Sequence, residues 1–134
     1  MKYVFIICPF TSLIVCQIIK TIYETIKNKK FDIKRVIGSG SMPSAHACFM
    51  SSLTLLIGYK EGFDTSTFAI ALVVMLITCY DAMSVRYESG EHARILNDKF
   101  GLNLKDKIGH KFLEVIVGIL VGVMTSTIFY LFLI

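Results

Sequence analysis

The chain has 134 residues, enough for one domain, with a formal net charge of +4, 54% hydrophobic residues and a mean hydropathy of +0.66. So apolar a composition excludes an ordinary soluble domain. The four cysteines, Cys8, Cys16, Cys48 and Cys79, all lie inside apolar runs without metal-ligand spacing, so they read as small buried hydrophobes rather than a disulfide framework.

Four runs are nearly free of charge: residues 3–19, 36–59, 65–80 and 115–134, of 17, 24, 16 and 20 residues. A membrane helix needs roughly 17–25 apolar residues. The expectation is therefore an all-α, polytopic membrane bundle of about four transmembrane helices in one domain, residues 1–134. The first run lacks a small-x-small cleavage site and is long for a signal sequence, so it is read as a mature helix.

Helix one is expected over residues 3–26, with Gln17 and Lys20 one turn apart on one face. A basic connector follows, carrying Lys34 and Arg35. Then comes Gly38-Ser39-Gly40-Ser41-Met42-Pro43-Ser44-Ala45-His46, a small, polar stretch between apolar runs. It reads as a loop that turns into a helix, with Pro43 at the first helical position. Ser41 or Ser44 is the expected cap. A helix start gathers unpaired N–H groups and so favours anions, and His46 falls in its first turn.

Helix two continues to about residue 57 with small residues that permit close packing. Helix three starts near residue 65 and continues, in helix-compatible sequence, past Asp81 and Arg86 towards Asn97. A carboxylate and a guanidinium at a membrane boundary are costly unless paired or functional. Helix four is expected to begin at His110. That would put His110 and Glu114 on one face, four residues apart. Gly118 and Gly122 form a G-x-x-x-G packing signal in the same helix.

Twelve of the fourteen Lys and Arg residues lie in the first and third connections, which places both on the cytoplasmic side. The basic excess then follows from topology and an anionic ligand or lipid surface, and no nucleic-acid partner is required. In an alternating bundle, Lys20, Ser44, His46, Asp81, Arg86, His110 and Glu114 all come to that same face. The opposite face offers only Lys2, Lys60, Glu61 and Asp64.

Two imidazoles, a carboxylate near one of them, and several cations suit phosphoryl transfer. One imidazole attacks phosphorus, the carboxylate orients it, and the other protonates the leaving oxygen. Cations and helix-start N–H groups stabilise the charge that develops. A zinc site from His46, His110 and Glu114 is the alternative, disfavoured by the cations and the anion-friendly loop. No metal or other cofactor is expected.

These stretches resemble the divergent branch of the PAP2 phosphatases, relatives of acid phosphatases and vanadium haloperoxidases. The resemblance rests on residues 40–46, on residues 81–86 with 90–97, on Gly109-His110 with Glu114-Val115, and on Gln17 and Lys20. It implies a membrane-embedded helical phosphatase of a lipid phosphate or diphosphate, isoprenoid phosphates among them, in a bacterial cytoplasmic membrane. By position, His110 matches the nucleophile and Glu114 the residue that orients it. Pro43-Ser44-Ala45-His46 resembles Pro-Ser-Gly-His, which makes His46 the general acid and Ser44 a phosphate ligand. Lys20 or Lys34, with Arg35, stands for the first basic motif. Ser44, Ser41, Arg86, Lys20, Arg35 and Asp81 are the expected substrate-binding residues. Leu104 occupies the place of the family's arginine six residues before the nucleophile, and Arg86 is the candidate to supply that charge. His92 stands where this branch carries glutamine. The alternative reading is a non-catalytic protein that binds or transports lipid phosphates. The helices are fewer than the family's usual number, and so small a bundle suits a homodimer.

Overall fold

The computed structural model describes residues 3–29 and 41–133. These form five α-helices: α1 (Val4–Asn28), α2 (Ala45–Glu61), α3 (Ser66–Met83), α4 (Val85–Phe100) and α5 (Phe112–Leu133). Val4–Asn28, the joined stretch Ser66–Phe100 and Phe112–Phe132 are long and apolar enough to cross a membrane. With 17 residues, α2 is shorter than any of these spans.

Helix ends follow local chemistry. Thr65 accepts the Phe68 N–H at the start of α3 (3.2 Å). Gly101, at φ 63°, closes α4 in the left-handed conformation that a side chain resists. The helix expected to run unbroken past Arg86 is interrupted at Ser84 (φ −109°, ψ −81°), whose hydroxyl turns back to the Tyr80 carbonyl at 2.7 Å.

The short α2 sits at the centre and touches α1, α3 and α5. Against α5 it runs parallel, with contacts in step: the Ser44 N–H donates to the Glu114 carbonyl (2.9 Å), Ser51 Oγ to the Ile119 carbonyl (3.3 Å), and Tyr59 meets Thr127 (3.2 Å). Gly118 and Gly122 allow this approach. A Cβ on Gly118 would strike the Ser44 carbonyl, and one on Gly122 would strike Ser51 Oγ and the Cys48 carbonyl. The G-x-x-x-G signal thus marks a real contact. Against α1 and α3, α2 runs antiparallel, through Ser12 Oγ to the Cys48 carbonyl (3.4 Å) and Thr54 Oγ1 to the Ala71 carbonyl (3.2 Å). These hydroxyls join helices where lipid offers no hydrogen bond. All four cysteines are free and buried, as their apolar setting predicts.

Two apolar clusters mark the ends of the bundle. Val4, Cys8, Leu56 and Phe129 meet at one end. Ala47, Cys79, Ala82 and Val115 meet at the other. The second gathers the end of α3 with the starts of α2 and α5, which is the convergence that alternation requires.

Candidate functional site

The site is assembled by ties to backbone carbonyls between helix ends. Cys16 Sγ of α1 faces the Pro43 carbonyl at 3.8 Å. Ser44 then bonds to Glu114, and the His110 N–H donates to the Ala82 carbonyl at 2.9 Å. Each tie fixes one polar residue beside another: Lys20 one turn beyond Cys16, His46 two residues beyond Ser44, and His110 against the end of α3.

Pro43 is not the first helical residue. Ser44 is extended (φ −71°, ψ 114°) and caps α2, its hydroxyl accepting the Ala47 N–H at 3.5 Å. The Ser44 N–H goes to Glu114, and its carbonyl accepts the first helical bond, from the Cys48 N–H at 3.0 Å. The anion-favouring N-terminus therefore lies at Ala45, with His46 in its first turn and exposed. Ser44 is fully buried.

Nor does His110 begin a helix. It lies in the non-helical segment 101–111, and α5 starts two residues later. The segment is pinned along α4. The Asn97 side chain donates to the Leu104 carbonyl (2.9 Å) and accepts its N–H (2.8 Å). The missing side chain of Gly90 admits the Asp106 carbonyl, and Gly109 passes against the Tyr87 backbone. So held, His110 is only 5% exposed. The four-residue spacing therefore does not put His110 and Glu114 on one helical face. Glu114 Oε2 accepts the Lys111 N–H at 3.0 Å, capping the start of α5.

Burial pushes the His110 imidazole below its ordinary pKa. The Glu114 carboxylate opposes this, and the charges of Lys20, His46 and Arg86 add to it. Charges on Arg86, Asp81 and Lys20 likewise reach His46. Lys20 is 3% exposed and sits within electrostatic reach of Glu114. Five of the expected residues, Lys20, His46, Arg86, His110 and Glu114, thus form one electrostatic neighbourhood. Asp81 joins it through Arg86, whose Nε donates to Asp81 Oδ2 at 2.6 Å, with side chains 40% and 37% exposed. The break at Ser84 allows that pair, since five residues along an unbroken helix would turn the two apart. Lys34 and Arg35 lie outside the described residues.

Among the described residues, three buried side-chain atoms lack a hydrogen-bond partner: Gln17 Oε1, Ser41 Oγ and His110 Nδ1. Buried polar atoms are normally paired, so such an atom calls for an explanation, a ligand or solvent among them. Ser41 and His110 were singled out in the sequence as site residues. Gln17 was noted for its place one turn from Lys20 and as part of the resemblance, but was not among the expected site residues. The sequence gave no signal for Asn97. A polar cleft of about 210 Å³ opens beside the site, with Tyr87, Lys107, Lys111 and Glu114 in its walls. Among the described residues, no group of three or more His, Cys, Asp or Glu is gathered as a metal site would require.

The chain is 27% identical to YuiD of Bacillus subtilis (strain 168), an uncharacterized membrane protein, over 92% of this chain and 91% of that one. No solved structure matches it. The profile of the Divergent PAP2 family matches residues 1–125. With three membrane-length helices and that match over nearly its whole length, the chain is a membrane protein of the divergent PAP2 family.

Proposed function

We propose that this protein is an integral membrane phosphatase that hydrolyses a lipid phosphate or diphosphate through a phosphohistidine on His110, at the cytoplasmic face of a bacterial membrane. The observation that carries this reading is His110 itself. It is buried, its Nδ1 lacks a partner among the described residues, and Lys20, His46, Arg86 and Glu114 lie within electrostatic reach.

A depressed pKa keeps His110 neutral, hence nucleophilic, near pH 7. An imidazole nitrogen attacks phosphorus, the bond from phosphorus to the lipid oxygen breaks, and that oxygen takes a proton from His46. Water, giving a proton back to His46, then splits the phosphohistidine and releases phosphate. Lys20, Arg86 and Ser41 hold the phosphoryl oxygens, and the carboxylate of Glu114 steadies the positive imidazole that forms. The protein's own cations supply the charge stabilisation that a metal would otherwise give.

The test is phosphate release by purified protein from a panel of lipid mono- and diphosphates, with EDTA present. Release should survive the chelator and fall by several orders of magnitude in His110→Ala, while the variant keeps its helical circular dichroism. Full activity in that variant would overturn the mechanism. One observation favours a second reading, a binding or transport protein: the cation nearest the imidazoles on α4, Arg86, is already bonded to Asp81. Saturable lipid-phosphate binding without release would establish it.

A further inference from the structure

We propose that the crevice between α1 and α5 holds a hydrocarbon chain of the lipid phosphate, and so selects the substrate by its chain. This rests on the lipid-phosphate part of the reading above. The crevice has a volume of about 280 Å³ and is lined by Thr11, Val15 and Ile19 from α1 and by Val121, Thr125 and Ile128 from α5, among others. Its two threonines make no polar demand on an occupant. Thr11 Oγ1 donates to the Ile7 carbonyl (2.9 Å) and Thr125 Oγ1 to the Val121 carbonyl (2.8 Å). What they present to the crevice is therefore hydrocarbon.

The direction of the crevice identifies its occupant. Glu114, Val121 and Ile128 are spaced by sevens on α5, so they share one face with a drift of about 20° per step. The α5 wall thus climbs to Glu114, roughly 10 Å above Val121. On α1, the uppermost lining residue, Ile19, adjoins the buried cation Lys20. A molecule that fills this space has an apolar chain below and an anionic group at the end where Lys20 and His110 stand. Charge and apolarity together match a lipid with an anionic head, as a lipid phosphate is, rather than a neutral lipid.

The chain contains no tryptophan, so a single introduced one reports on its surroundings without background. Met124 lies on the rim of the crevice and is 64% exposed, so Met124→Trp is tolerated, and Ile128→Trp provides a second position. Each is placed in a His110→Ala background and reconstituted in vesicles of phosphatidylcholine with brominated chains, which quench the indole. Adding a few mole per cent of unbrominated phosphatidic acid or polyprenyl phosphate should restore fluorescence several-fold beyond simple dilution. The matching diacylglycerol or polyprenol should not. Ile77→Trp, on the exposed face of α3, should respond only to dilution.

Recovery equal for the phosphate and the alcohol, or no greater than dilution at both rim positions, would overturn the proposal. Phosphate release by the unmodified protein is measured alongside. Recovery without release keeps the crevice and removes the phosphatase. Release without recovery removes the crevice alone.

Discussion

At the scale of single residues, His110 governs how the protein answers to pH. Its native pKa is depressed, so the unfolded chain takes up a proton near pH 6.5 while the native site still resists one. Stability is therefore fully present above about pH 6.5 and declines as the solution is acidified through that value. His110→Gln should flatten that decline in detergent melts across pH 5 to 8. For the same reason the acid limb of kcat/KM should lie below the usual imidazole range. Arg86 is the other deciding residue. If it stabilises charge in the transition state, Arg86→Ala lowers kcat by about 10²–10³ with substrate affinity less affected. An unchanged kcat would leave Arg86 and Asp81 as a structural pair.

At the scale of elements, the close contact of α2 with α5 has no slack. Gly122→Val puts side-chain atoms where Ser51 and the Cys48 carbonyl already lie, and should cost about 1–3 kcal/mol, read as a lower melting temperature in detergent. The pinned segment makes a different prediction. Asn97→Asp keeps an acceptor for the Leu104 N–H but loses the donor to its carbonyl. It should cost about 1 kcal/mol and lower kcat more than it raises KM, because the segment it loosens carries His110. Measuring both constants on one lipid phosphate checks this.

These elements also mark what could be read in advance. The membrane helices and the Gly118–Gly122 contact follow from runs of apolar residues and a fixed spacing, signals that local sequence carries. The start of α5 beyond His110 depends on a partner far along the chain, whereas the break at Ser84 has a near one, four residues back. Ser84 turns back on Tyr80, and the His110 N–H is taken by Ala82. Spacing rules assume a continuous helix. On a continuous helix Asp81 and Arg86 would turn apart and His110 and Glu114 would share a face; the break at Ser84 pairs the first two, and the second two stay within electrostatic reach without sharing a helix. The gathering of His46, His110 and Lys20 at one end was legible, because alternating helices bring those ends together whatever the local detail.

At the scale of the whole molecule, the bundle is built around a helix, α2, shorter than any of its membrane-length spans. The 17 residues of α2 extend about 25 Å, against a hydrocarbon layer roughly 30 Å thick. At its far end an aromatic group of Tyr59, Phe63 and Tyr130, with rings 4.9–5.8 Å apart, provides the side chains that favour a membrane boundary. With that end anchored, the other must stop about 5 Å short of the opposite surface. Backbone outside a helix survives at such depth only when protein surrounds it, and Pro43 and Ser44 are indeed buried. The start of α2, the end of a helix that favours an anion, would thus lie below the level of the surrounding headgroups. A lipid would not need to be lifted towards the water to react; its phosphate would instead be drawn a short way down into a recessed well.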